Sequence, residues 1–329
     1  MSADDKASTE DKLIARFFAP LATHPGALSL SDDAAVIKPP PGCELVLKAD
    51  AIVGGVHFFN DDPAHAIASK ALRVNLSDLA AKGATPLGFL VSLALPKDTS
   101  EAWLKSFADG LREDAAGYKC PLFGGDTVRT PGPVMVSVSM FGSVPDGMMV
   151  RRAGAKAGDK VFVTGTIGDA ALGVKLRLGA AWPLSDAQRE HLLSRYLLPR
   201  PRGALTEAVR HYASASMDIS DGLVGDFTKL CRVSGVAADI DVARVPLSDA
   251  ARAVLTAEPG ARETALTGGD DYEILCTVQP AKVDRFRVAT MAAKVAVTEI
   301  GTIGEGEAVR FLGEDGNSLL FAQGAFSHF

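Results

Sequence analysis

The 329-residue sequence is poor in the features that mark several protein classes. It has four cysteines, Cys43, Cys120, Cys231 and Cys276, with no C-x-x-C pair and no histidine at zinc-ligand spacing. That excludes a disulfide scaffold, and the thiols read as small buried hydrophobes in a reducing compartment. No apolar run approaches the roughly 20 residues needed to span a bilayer. The opening MSADDKASTE is acidic and polar, unlike a signal or transit peptide. The expectation is a soluble, cytoplasmic protein with no membrane partner. Basic charge is not in excess: 34 Lys and Arg stand against 40 Asp and Glu, a net charge of −6. That argues against a nucleic-acid partner, but not against a nucleotide, whose charge a metal can carry. Common catalytic signatures are missing too. There is no G-x-x-x-x-G-K-S/T, no kinase-type G-x-G-x-x-G with its catalytic loop, and no G-x-S-x-G. The six histidines (His24, His57, His65, His191, His211 and His328) form no H-E-x-x-H.

What is present fits about two domains, on a prior of roughly 100–200 residues each. Hydrophobic residues make up 47% and charged residues 22%, enough to bury sizeable cores. Residues 1–8 read as a disordered tail, 9–147 as a first domain and 148–329 as a second. In the first, Ser8 or Thr9 is placed to cap a helix through Leu13, Ile14, Phe17, Phe18 and Leu21. Strands are expected at 44–49, 87–95 and 134–142. Pro63 opens a helix that carries Asn75 and Asp78 and stops at Lys82, with Gly83 as its left-handed end and Pro86 beyond. Trp103, Phe107 and Leu111 mark another helix. The second domain reads as strands at 160–164, 237–242, 274–278 and 297–304, with helices opening near Asp169 and Asp221 and spanning 281–292. The fold class is therefore α/β, or α+β, with strands alternating with helices.

Aspartates recur beside Gly or Ser: Asp32-Asp33, Asp50, Asp78, Gly125-Asp126, Asp218 with Asp221, and Asp270-Asp271. Each is expected at a strand end, a helix start or a loop. Singly, each reads as a cap or turn residue, and Asp169 and Asp221 read as helix caps. Together they suggest more, because converging carboxylates repel unless cations lie between them. Hard cations such as Mg²⁺ take carboxylate oxygens, so a multi-Mg²⁺ nucleotide site is the leading chemical reading. The main lookalike is a dinucleotide fold at Val161-Phe162-Val163-Thr164-Gly165-Thr166-Ile167-Gly168, but its spacing is G-x-x-G. His57, alone among apolar neighbours, reads by itself as a hydrogen-bonded structural residue.

Eight segments then stand in a familiar order: SDDAAVI, the stretch from Asp50 to His57-Phe58, NLSDLAAKGATP, FGGDT, RRAGAKAGD, VTGTIGDAALG, MDISDGL and GGDDYEI. On these, the chain from about Leu13 onward resembles the thiamine-monophosphate kinase family, of the aminoimidazole-ribonucleotide-synthetase-like ATP-binding superfamily. The resemblance implies an N-terminal mixed-sheet domain that dimerises through its sheet into a homodimer, and a C-terminal α/β domain. It implies in-line transfer of the ATP γ-phosphate to thiamine monophosphate, giving thiamine diphosphate, with no covalent enzyme intermediate and no single catalytic residue. It assigns several Mg²⁺ ions to Asp33, Asp50, Asp78, Asp126, Asp218 and Asp221, and ATP contacts to Tyr118, Gly125, Asp126, Arg152 and Ser220. It gives thiamine monophosphate to His57, Asp270 and Phe326. The chain departs from the family pattern at Ser31 (usually Gly), at Lys48-Ala49 (usually hydroxyl residues), at Asp270 (usually Glu) and at Phe326 (usually Trp or Tyr). The alternatives are a relative that phosphorylates an amide oxygen in a ligase or cyclase reaction, and a non-catalytic nucleotide-binding protein.

Overall fold

The computed structural model describes residues 12–322, 324 and 325. It divides into two compact units. One is built from residues up to Leu76 and from Thr85–Asp146, the other from Ser77–Ala84 and from Gly147 onward.

In the first unit β1 (Cys43–Val53), β2 (Thr85–Leu95), β3 (Leu122–Arg129) and β4 (Met135–Pro145) form one sheet in the order β1-β4-β2-β3. β4 runs antiparallel to both β1 and β2, while β3 lies parallel to β2. A parallel pair needs a crossover, and α2 (Glu101–Gly117) supplies it, with Ser100 Oγ accepting the Trp103 N–H at 3.1 Å as its cap. Alternation sorts the sheet's residues. Phe89, Val91 and Leu93 of β2 lie beside Met140, Val138 and Val136 of β4 on a buried face. The other face leaves Leu45, Leu47, Leu90 and Val128 exposed, Leu47 by 76%.

Three expectations change here. The helix through Leu13–Leu21 is present but not regular: it is α-helical at Lys12-Leu13, widens to a π-helix at Ile14–Phe18, closed by the Ala19 N–H on the Ile14 carbonyl, then tightens to a 3₁₀ turn at Ala19–Leu21. Pro20 has no N–H to continue a regular helix; the caps Ser8 and Thr9 lie outside the described residues. Asp50 does not end its strand, because β1 stays paired with β4 through Val53. Asp126 is not in a loop: it sits within β3, opposite Ser92.

α1 (Ala64–Ala81) begins in the first unit, and its last turn groups with the second. It ends as the sequence indicates. Gly83 is left-handed (φ +69°), its N–H bonds the Ala80 carbonyl at 3.1 Å, and the Ala84 N–H bonds the Leu79 carbonyl at 2.8 Å. This is a Schellman closure.

The second unit contains β5 (Lys160–Thr164), α3 (Asp169–Arg177), α4 (Asp186–Leu197), α5 (Thr206–Tyr212), β6 (Ala213–Asp218), α6 (Leu223–Ser234) and β7 (Ala237–Asp241). It continues with α7 (Asp249–Ala257), α8 (Ala261–Thr267), β8 (Ile274–Val278), α9 (Val283–Ala292), β9 (Val297–Gly304) and β10 (Val309–Leu312). The sheet order is β10-β7-β9-β5-β8-β6, antiparallel except for β10 with β7. β5 thus has antiparallel neighbours on both sides, which removes the dinucleotide lookalike, whose sheet is parallel. Successive residues feed two cores. Val161, Val163, Met217 and Leu275 pack with Phe227 and Leu230 of α6. Phe162, Ile274, Cys276 and Val278 pack with Val209 and Phe286, and the rings of Phe162 and Phe286 meet edge to face at 5.3 Å. Among the described residues no helix is long and apolar enough to cross a membrane.

Candidate functional site

In the second unit two loops leave the ends of β6 and α8 and lie against each other. The first carries Asp218, Ser220 and Asp221, and the second carries Asp270. The Ile219 N–H donates to the Glu273 carbonyl at 2.9 Å, while the Asp270 and Tyr272 N–H groups donate to the carbonyls of Ser220 and Ile219, both at 2.8 Å. The contact is backbone on backbone: a Cβ on Gly269 would stand 2.3 Å from the Ser220 carbonyl oxygen. Asp270 and Tyr272 are left-handed (φ +68° and +51°), a conformation that costs about 1–3 kcal/mol per residue and persists only where surroundings enforce it. Asp78, half-buried in the last turns of α1, belongs to the same unit. Beside it, Ser77 Oγ donates to the Tyr272 carbonyl at 3.4 Å, and Lys82 Nζ donates to the Ser216 carbonyl at 2.6 Å. Asp218, 5% exposed, ends β6. Arg152 is exposed on a bend whose neighbour Arg151 accepts the Ser216 N–H at 2.9 Å. This unit therefore gathers Asp218, Ser220, Asp221 and Asp270 on one double loop, with the α1 turn of Asp78 bonded to it.

Neither expected helix cap acts as one. Gly222 holds the cap position before α6, and Asp221 instead pairs with Lys229. The side chain that caps this turn is Asp226, one turn into α6. Its Oδ2 accepts the N–H groups of Ser220 at 2.9 Å and Asp221 at 2.8 Å, and its Oδ1 accepts from Lys229 Nζ at 3.0 Å. Burial pushes the Asp226 carboxyl upward, against the backbone hydrogen bond and Lys229. Asp169 likewise follows its cap, Gly168, and receives hydrogen bonds from Thr166 at 2.6 Å, His191 at 2.9 Å and Ser248.

Behind Asp270 lies a buried ionic network that sequence reasoning missed. Glu273 is fully buried, bonded to Arg195 at 2.9 Å, to Arg202 Nε at 2.6 Å and to Thr164 Oγ1 at 2.6 Å. Asp271 accepts the Gly168 N–H on both oxygens, at 2.8 and 3.0 Å, while Arg195 donates to its carbonyl at 3.1 Å. Burial first, and repulsion from Asp169 second, hold the Asp271 carboxyl well above the usual aspartate range. Arg195 and Arg202 lie more than 70 positions from Glu273, so no local pattern reveals them. Asp226 had a weak signal, an acid in the first turn of an expected helix.

In the first unit, Asp33 is exposed on an irregular segment. Tyr118, just past α2, is held from two sides: its N–H donates to the Asp114 carbonyl at 2.8 Å, and the Arg73 guanidinium lies 5.9 Å from its ring centre. Arg73 itself forms a two-pronged pair with Asp114, 2.8 Å on each prong. His57 Nδ1 accepts the Val53 N–H at 3.0 Å, so the neutral ring carries its proton on Nε2. Asp50 pairs with Lys48 at 3.0 Å. Register places Asp50 on the face of Val138, Val91 and Gly125, and Asp126 on the opposite face with Ser92, Ser137 and Ala51. They also stand on the two edge strands, three strand spacings or roughly 14 Å apart. Within one copy these two carboxylates cannot share an ion, since Mg²⁺ binds oxygen at about 2.0–2.1 Å. Among the described residues no three His, Cys, Asp or Glu side chains converge closely enough to hold a metal. The donor set itself, all carboxylate oxygen, fits Mg²⁺ chemically. Phe326 lies outside the described residues.

Residues 31–144 match the family model for the AIR synthase related protein N-terminal domain, and 156–313 match that for the C-terminal domain. The chain is similar to a thiamine-monophosphate kinase of Caulobacter vibrioides, 44% identical over 92% of this chain and 86% of that one. Among solved structures it is similar to the thiamine-monophosphate kinase of Stenotrophomonas maltophilia K279a (TM-score 0.81, 38% identity, covering 88% of this chain and 91% of the other). It is also similar to AaThiL complexed with AMPPCP and TMP (TM-score 0.78, 33% identity, 91% of each chain).

Proposed function

Because the chain belongs to the thiamine-monophosphate kinases of the AIR synthase related family, we propose that it transfers the γ-phosphate of ATP to thiamine monophosphate. The observation that carries this reading is near full-length similarity to AaThiL bound to AMPPCP and TMP, together with the double loop of Asp218, Ser220, Asp221 and Asp270. A phosphate oxygen of thiamine monophosphate attacks the γ-phosphorus in line. The bond to the β-phosphate oxygen breaks, ADP leaves, and thiamine diphosphate remains.

Asp33, Asp50, Asp78, Asp126, Asp218 and Asp221 are assigned to Mg²⁺, which when bound offsets phosphate charge. Asp50 and Asp126 then serve separate ions or separate copies of the chain. Tyr118, Gly125, Asp126, Arg152 and Ser220 are assigned to ATP. Arg152 suits a phosphate through its planar fork of donors, and His57 Nε2–H and Asp270 suit the acceptor, with Phe326. The chain's own contribution is positioning: the left-handed Asp270 is held by backbone bonds and needs little reorganisation. The exposed apolar face of the β1-β4-β2-β3 sheet is assigned to a homodimer contact. The four free cysteines suit a cytoplasmic setting; burial pushes the thiols of Cys120, Cys231 and Cys276 to about 12, which makes them unreactive.

The test is ADP release with ATP and Mg²⁺, with and without thiamine monophosphate. Release is expected only when acceptor and Mg²⁺ are both present. Stimulation by an aminoimidazole precursor instead would reassign the chain to a ligase-type reaction.

A further inference from the structure

Asp226 is 1% exposed and has no role in the assignments above. Burying a carboxylate is costly before compensation, and a Ser or Asn at the helix start would cap α6 without that cost. Here the carboxylate reaches back past Gly222 to grip the turn before the helix. One oxygen takes both the Ser220 and Asp221 N–H groups, and the other takes Lys229. The carbonyls of that gripped turn are the acceptors for the Asp270 and Tyr272 N–H groups. Both of those residues are left-handed and rely on these bonds to stay so. The chain of contacts runs without a gap from Asp226 to the Ser220-Asp221 turn and on to Asp270.

We propose that Asp226 is a positioning residue for the phosphoryl transfer, holding the nucleotide-metal turn and the acceptor loop in one arrangement, with Lys229 as its internal counter-ion. The proposal rests on the kinase reading of Ser220, Asp221 and Asp270. Its signature is that a single substitution distant from the acceptor weakens both ligands together. A residue that serves only the fold would lower stability and leave the affinities of the folded fraction unchanged.

The experiment measures binding rather than turnover, on the full chain. Mn²⁺ with a non-hydrolysable ATP analogue is followed by electron paramagnetic resonance, and thiamine monophosphate by calorimetry. Asp226→Ala is expected to weaken both by about 10–100-fold, the range seen when a ligand's supporting residue is removed. Asp270→Ala is expected to weaken only thiamine monophosphate. Wild-type affinities in folded Asp226→Ala, or loss of one ligand alone, would overturn the proposal. Should Asp226→Ala not fold, Asp226→Asn decides. Its amide oxygen still accepts the two N–H groups, but its NH₂ faces Lys229. That amide repels the ammonium which also pairs with Asp221, so both affinities should fall together; no fall, or a fall in one alone, overturns the proposal. If the wild-type chain binds neither ligand, the kinase reading itself is wrong, a different outcome from any of these.

Discussion

Asp169 is fully buried, yet its carboxyl is held below the ordinary aspartate value of 3.8. Burial alone would raise it; hydrogen bonds from His191, Ser248 and Thr166 outweigh that effect. The sign follows from linkage. A carboxyl depressed in the folded state contributes stability that is fully present above its unfolded value and lost as pH falls through its folded value. Asp169 joins the start of α3, the side of α4 and the cap of α7, so the loss is shared by three helices. Asp169→Asn is expected to be less stable at neutral pH and to lose less of its remaining stability between about pH 5 and pH 3. Urea unfolding across that range checks this; parallel curves for the two proteins would count against it. The sequence marked Asp169 only as a cap. Its partners His191 and Ser248 lie 22 and 79 positions away, and only folding brings them in.

At the scale of elements, the end of α1 shows local code and tertiary contact acting together. Gly83 was legible as a helix stop because a left-handed residue closes the Schellman bonds. What the sequence did not show is the neighbour. A Cβ on Gly83 would stand 3.0 Å from the Arg210 Cβ and 3.2 Å from its Cα, and Arg210 Nε donates to the Gly83 carbonyl at 2.8 Å. Gly83→Ala should therefore cost more than the roughly 1–2 kcal/mol of a left-handed alanine. It should also loosen the turn that carries Asp78. Denaturant unfolding measures the first effect, and an unchanged midpoint would contradict it. The double loop is a second such case. MDISDGL and GGDDYEI are separately recognisable, but their backbone pairing is a property of β6 and β8 lying side by side.

For the whole molecule, the first-unit sheet leaves one face open, and its most exposed large residue there is Leu47 at 76%. Isolated exposed leucines are common on soluble proteins, but Leu45, Leu47, Leu90 and Val128 share one face. A charge at the centre of a buried dimer contact is strongly unfavourable. If that face forms the proposed homodimer contact, Leu47→Glu is expected to shift the chain toward monomer relative to wild type in sedimentation equilibrium while leaving the fold intact by circular dichroism. If the wild-type chain sediments as a monomer, the dimer assignment fails outright.

The sequence by itself determined the strands and helices whose periodicity is strong, the stop at Gly83, and the order of the aspartate motifs that mark the family. These depend on near neighbours: side-chain alternation, a missing Cβ, a fixed spacing. Tertiary structure decided where Asp50 and Asp126 point, because the face a strand residue occupies is set by register with its partners. It also decided that Asp226 rather than Asp221 grips the turn, and that Glu273 is neutralised by Arg195 and Arg202. A buried carboxylate needs cations and N–H groups in space, and the chain draws them from wherever the fold has left them.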